Sequence, residues 1–178
     1  LYSLCPFLFS ELFQSIAAAA PALSRYCWIF VKFFLKHPFL QFLNNIPFYG
    51  KAILCIDDVN IESLLPLNHI KTLKYGISNT EKADIFAQDI ILEKDYSIFK
   101  VFKAGSTESL GVIKIYMPGR HNILNALAAI TVALDIEIPF SIIAKSLEDF
   151  KGIERRFSLK GCYKGAELFD DYGHHPTE

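Results

Sequence analysis

The sequence predicts an α/β fold, and three observations carry that prediction. The stretch "KAILCIDD" holds a short apolar run, Ala52 to Ile56, that ends in Asp57 and Asp58. A buried strand with acidic residues at its carboxyl end reads this way. Residues 84–116 have no helical period and divide into three strand-like runs. Residues 120–134 and 140–150 then carry the spacing of two helices.

Taken in order, the first part is the least ordinary. From Leu1 to Ser24 the only charge is Glu11, and "RYCWIFVKFFLKHPFLQFL" after it is aromatic-rich with a few cations. A membrane span needs about 20 apolar residues. Residues 1–24 approach that, but Pro6, Glu11 and Pro21 weaken it. No basic region precedes the apolar stretch, as a secretory signal would require. Buried helices are the alternative.

From Asn44 the texture changes. After the strand at 52–56, "VNIESLLPL" reads as a short helix cut by Pro66, and "IKTLKYGIS" as the next strand. "ADIFAQDIIL", "YSIFKVF" and "LGVIKIYM" are three strands joined by polar turns at 93–95 and 104–107. In the second of the two later helices, Ile142, Ile143, Leu147 and Phe150 form the core stripe, with Pro139 near its first turn and Gly152 past its end. "FSLKGCY" and "AELFDD" flank Lys164-Gly165, a hairpin turn signal.

The 178 residues carry a net charge of −1, so no basic excess points to nucleic acid. Cys5, Cys27, Cys55 and Cys162 lie far apart, without a C-x-x-C pair, and read as free thiols in a reducing compartment.

Two stretches carry candidate chemistry. In "MPGRHNILNALAAI" a Pro-Gly stop is followed by Arg120, His121 and Asn122, and by Asn125 one turn later. Residues i and i+3 share a helix face, so Asn122 and Asn125 point the same way. Ala128 and Ala129 continue near that face with little bulk, while Ile123, Leu127 and Ile130 take the other side. The small face leaves room for something flat, and an amide's donor and acceptor match a nucleobase edge. Arg120 and the helix N-terminus add positive potential. The alternative is local: Asn122 caps the helix and Asn125 bonds to a loop. In "DDYGHHPTE", Asp171 suits a hydroxyl or a metal. His174 and His175 suit a carboxylate, phosphate or metal, or proton transfer. The alternative is a surface turn. Arg155-Arg156 suits phosphate, or is a solvated linker.

Four segments in this order and spacing, "FLNNIPFYGKAILCIDD", "MPGRHNILNALAAI", "FKGIERRF" and "FDDYGHHPTE", resemble the Mur ligase family from about residue 38 to the end. The resemblance implies an incomplete central ATP-binding domain over 38–150, a mixed sheet with flanking helices. Residues 151–178 would be the linker and first strands of a Rossmann-like C-terminal domain, and 1–37 stay unassigned. By resemblance, His121, Asn122 and Asn125 line the adenine pocket, Arg156 reaches ATP phosphate, and Asp171 holds the nucleotide. Tyr172, His174 and His175 would lie near the nucleotide and the incoming amino acid. The form "DDYGHHPTE" favours members that join L-alanine to UDP-N-acetylmuramate over the murein-peptide recycling ligases. The implied activity is ATP-dependent amide formation with Mg2+, in cytoplasmic peptidoglycan biosynthesis.

The departures are as informative. The family's P-loop, G-x-x-x-x-G-K-[ST], and the acidic metal-binding stretch after it are absent from these residues. "SRYCWIFVKFFLKHP" stands where the family has a Thr-Asn and Asp-His segment, and a shifted reading frame or degraded gene is one origin for residues 1–37. No metal ligand is expected in the chain. A fragment, inactive alone, is the expectation. The rivals are a non-catalytic nucleotide-binding remnant of the same fold, and a membrane-anchored protein using residues 1–36.

Overall fold

The computed structural model describes residue 40, residues 42–152 and residues 158–171. The apolar segment before residue 40, with its membrane-span reading, lies outside the described residues. Among the described residues no helix is long and apolar enough to cross a membrane.

A five-stranded sheet organises the chain, in the order β1 (Lys51–Cys55), β2 (Lys71–Gly76), β3 (Ile85–Leu92), β4 (Ser97–Lys103), β5 (Gly111–Ile115). β1, β2 and β3 are parallel neighbours, and β3, β4 and β5 form an antiparallel meander. The helix α1 (Val59–Glu62) lies in the β1–β2 crossover. It is shorter than the sequence suggested and stops well before Pro66. The three strands expected over 84–116 are β3, β4 and β5.

Side chains alternate across a strand, and two apolar clusters result. Ile53, Tyr75, Ile85, Ala87, Phe99, Val101, Ile113 and Ile115 face one way, toward α2 (Arg120–Asp135) and α3 (Phe140–Asp149). Ala52 and Leu54 face the other way, against Leu43, Ile46, Ile61 and Ile70. β1 is therefore apolar on both sides, which explains its unbroken apolar run.

The helices differ in how they are buried. α2 is buried nearly all round from Asn125 to Ala133, as a helix with little polar surface must be. This corrects one expectation: Ala128 and Ala129 do not line an open face but pack in the core. In α3, Ile143 and Leu147 form the buried stripe, whereas Ile142 is exposed. One helical step is about 100°, which carries residue 142 off the face that residues 143 and 147 share.

β6 (Ser158–Tyr163) and β7 (Ala166–Asp170) form a separate antiparallel hairpin, turning at Lys164-Gly165 as the sequence suggested. Its apolar residues Leu159, Tyr163, Leu168 and Phe169 are exposed. An exposed ion pair, Lys94 to Glu167 at 3.4 Å, reaches it from the β3–β4 turn.

Candidate functional site

The direction of α2 places its polar end. Asp135, the last residue of α2, pairs with Lys51, the first of β1. α2 therefore runs antiparallel to β1, and its first turns lie at the carboxyl ends of the parallel strands. Ligand loops of open α/β sheets gather at that end. Arg120 confirms the placement, since its Nη2 donates to Ser78 Oγ just after β2, at 3.4 Å.

The entry loop of α2 is fixed from several sides. Buried Ser97 donates its hydroxyl to the Met117 carbonyl at 3.1 Å. Gly119 is the N-cap at φ +102, a region that disfavours side chains, and no side chain caps the helix. A Cβ at this position would come within 2.7 Å of His121 Cε1, so the ring folds into the space the glycine leaves. Asn122 is not the cap. Its Nδ2 donates back to the Pro118 carbonyl at 2.7 Å, and its side chain is half-buried. The uncapped N-terminus carries the positive end of the helix dipole.

Asn125, one turn on, is only 7% exposed. Its Oδ1 is buried without a hydrogen-bond partner among the described residues. Such an acceptor costs about 1–3 kcal/mol of desolvation and calls for a reason. Two other buried atoms share this condition, Asp135 Oδ2 and Tyr75 Oη. Asp135 has its other oxygen on Lys51, and Tyr75 sits in the core beside Cys55, its partner in the β1–β2 register. A thiol is only a weak donor. Asn125 differs in lying one turn from the exposed Arg120 and His121.

The groups nearby are already engaged or unreactive. Burial pushes the Cys55 thiol up to about 11, which removes it as a nucleophile. Burial likewise raises the Tyr75 hydroxyl well above its ordinary range. Asp58 caps α1, accepting from the Asn60 backbone N–H at 2.8 Å and side-chain Nδ2 at 3.0 Å. Asp57 accepts from the backbone N–H groups of Ile77, Ser78 and Asn79. Asp57 thus has both oxygens engaged and Asp58 its Oδ1, and no cluster of three or more His, Cys, Asp or Glu suited to a metal occurs among the described residues. The arrangement offers hydrogen-bonding amides beside the positive end of a helix dipole.

The structure thus brings together His121, Asn122 and Asn125 in the first two turns of α2. Asp171 is exposed directly after β7, on the separate hairpin. Arg156, Tyr172, His174 and His175 lie outside the described residues. Ser78, Ser97 and Asp57 support the site and were given no such role by the sequence reading. Asp57 at the end of the β1 run was visible, but its donors are backbone groups some 20 residues away, which no side-chain pattern reveals.

Residues 36–133 match the Mur ligase middle domain. The chain is 47% identical over 146 residues to the UDP-N-acetylmuramate–L-alanine ligase of Syntrophotalea carbinolica, covering 81% of this chain and 31% of that protein. It is 44% identical over 144 residues to the ligase of the same name from Solibacter usitatus, covering 81% and 30%. Among solved structures it resembles a murein peptide ligase from Psychrobacter arcticus, with a TM-score of 0.65 and 27% identity over 86% of this chain and 32% of that one. The chain therefore spans about a third of the length of the curated relatives it matches. With a match that spans the whole five-stranded sheet and nearly all of α2, the chain belongs to the Mur ligase family.

Proposed function

We propose that this chain is the adenine-contacting part of an ATP-dependent ligase that joins L-alanine to UDP-N-acetylmuramate. In this reading residues 38–150 are the later part of the central domain, and 151–178 cross into the third. The observation that carries it is the unpartnered, buried Oδ1 of Asn125, one turn from Asn122 at the carboxyl end of parallel strands. An exocyclic amino group would satisfy that acceptor, and the half-buried Asn122 amide offers a second edge contact. His121 would stand at the rim. The names of the relatives at 44–47% identity supply the substrates.

A carboxylate is a poor acylating agent, and transfer of a phosphoryl group from ATP to the muramate carboxylate makes it a good one. The alanine amine then displaces phosphate. The complete enzyme would work in the cytoplasm in cell-wall biogenesis, with consequences for cell shape and division. Mg2+ would assist the phosphoryl step through ligands that this chain is not expected to supply. Arg156 and Asp171 would add nucleotide contacts, and Tyr172, His174 and His175 contacts nearer the amino acid.

The chain lacks a P-loop sequence. Phosphates should then add little affinity, and adenosine and ATP should bind about equally, near the millimolar level that about −4 kcal/mol supports. NMR titration with both ligands tests this. Micromolar binding of ATP with none of adenosine would contradict it. The isolated chain should also release no phosphate in the presence of UDP-N-acetylmuramate, L-alanine and ATP, and release above a buffer blank would refute that expectation.

A further inference from the structure

We infer that Asp57 is a positioning residue for the start of α2: it holds residues 77–79 where Ser78 meets Arg120. The inference rests on the adenine reading above for its functional consequence. Asp57 Oδ2 accepts from Ile77 N at 2.8 Å, Oδ1 accepts from Asn79 N at 3.0 Å, and Ser78 N reaches both oxygens at 3.0 and 3.1 Å. Three successive N–H groups on one carboxylate form a concave nest of the kind that binds anions, here filled by the chain's own side chain. Asn79 returns a bond, Nδ2 to the Ile56 carbonyl at 3.1 Å. Gly76 makes the approach possible, because a Cβ there would lie 2.7 Å from Asp57 Oδ1. Lys82 and Glu62 form an exposed ion pair across the same two segments.

The nest fixes the backbone of Ser78, and Ser78 Oγ accepts from Arg120 in the first turn of α2. Ser97 and Asn122 pin the entry loop from the far side. The helix start is thus held between two supports, one of which ends on Asp57. Binding groups need such support to keep a productive geometry.

The test uses the 178-residue chain with Asp57→Asn and Asp57→Glu, well below the melting temperature of each. Adenosine affinity and the amide resonances of residues 120–125 are both read, with Asn122→Ala as a control on the site. Asp57→Asn replaces one acceptor oxygen by a donor that opposes the N–H groups. It should move the resonances of residues 120–125 and weaken adenosine by about tenfold, the loss expected when one good contact is misaligned. Asp57→Glu should recover part of both. A purely structural role predicts a lower melting temperature with those resonances and the affinity unchanged, and that result would overturn the inference. If Asn122→Ala leaves adenosine binding intact, the adenine reading fails by itself. The resonance shifts would still decide whether Asp57 positions α2.

Discussion

Two polar groups at the carboxyl end of the parallel strands have opposite fates. Asp57, at the end of β1, has both oxygens engaged by three backbone N–H groups. Asn125, in the second turn of α2, has a buried oxygen with no partner among the described residues. The first is a component of the fold, and removing it should cost stability. The second costs the fold something as it stands, and the adenine reading proposed above would account for that cost. The contrast separates a half-buried carboxylate that the fold satisfies from a buried amide oxygen that it leaves unpartnered.

The largest expected effect is on the Asp57 side. Asp57→Ala leaves three N–H groups without their acceptor, and hydrogen bonds to charged groups are worth about 1.5–3 kcal/mol each. A loss of about 3 kcal/mol or more in urea unfolding is expected, and a loss under about 1 kcal/mol would mean that the nest contributes little. Gly76→Ala breaks the same arrangement sterically, since its new methyl would sit against the carboxylate. Forcing a group into a packed site costs about 1–3 kcal/mol. In the Asp57→Ala background only part of the steric cost should vanish, because the approach to Ile56 Cγ2 at 2.9 Å remains, and a double-mutant cycle reads the part coupled to Asp57.

How much of this was legible in the sequence follows the same division. The strands, the two long helices and the hairpin turn were legible because each has a local period or a turn dipeptide, as Lys164-Gly165 shows. The position of Asn122 and Asn125 on one face was legible from i, i+3 spacing. The burial of Ala128 and Ala129 was not. A small-residue face reads the same whether a ligand or the core covers it, and only packing distinguishes the two. The exposure of Ile142 is hidden for a related reason, because adjacent isoleucines at 142 and 143 look equally apolar and only one of them faces the core. The role of Asp57 depends on a loop that β2 brings alongside β1, and parallel register is not written in either strand. What Asp171 reaches depends on how the hairpin sits relative to α2, which the sequence pattern does not fix.

A smaller effect sharpens the contrast from the neighbouring residue. With its thiol pushed up to about 11 by burial, Cys55 carries about one thiolate in a thousand at pH 8. Peptide mass spectrometry after brief alkylation should find Cys162, which is exposed, modified long before Cys55. The raised value also fixes a sign. The stability it contributes is fully present below the ordinary thiol value of 9.0 and falls as pH rises toward about 11, because the unfolded chain ionises first. Cys55→Ala should remove that part of the slope. Rapid labelling of Cys55 at pH 8 would show that the strand end opens readily.

The most direct test of the contrast places stability and binding on one variant, Asn125→Ala. Alanine has the better helix propensity, and the substitution removes an acceptor that has no partner. Urea unfolding should therefore show stability within about 0.5 kcal/mol of the parent, or slightly higher. Adenosine titration of the same sample should show binding lost. A drop of about 2 kcal/mol or more with adenosine affinity unchanged would mean that Asn125 serves the fold and not a ligand, and would contradict the account.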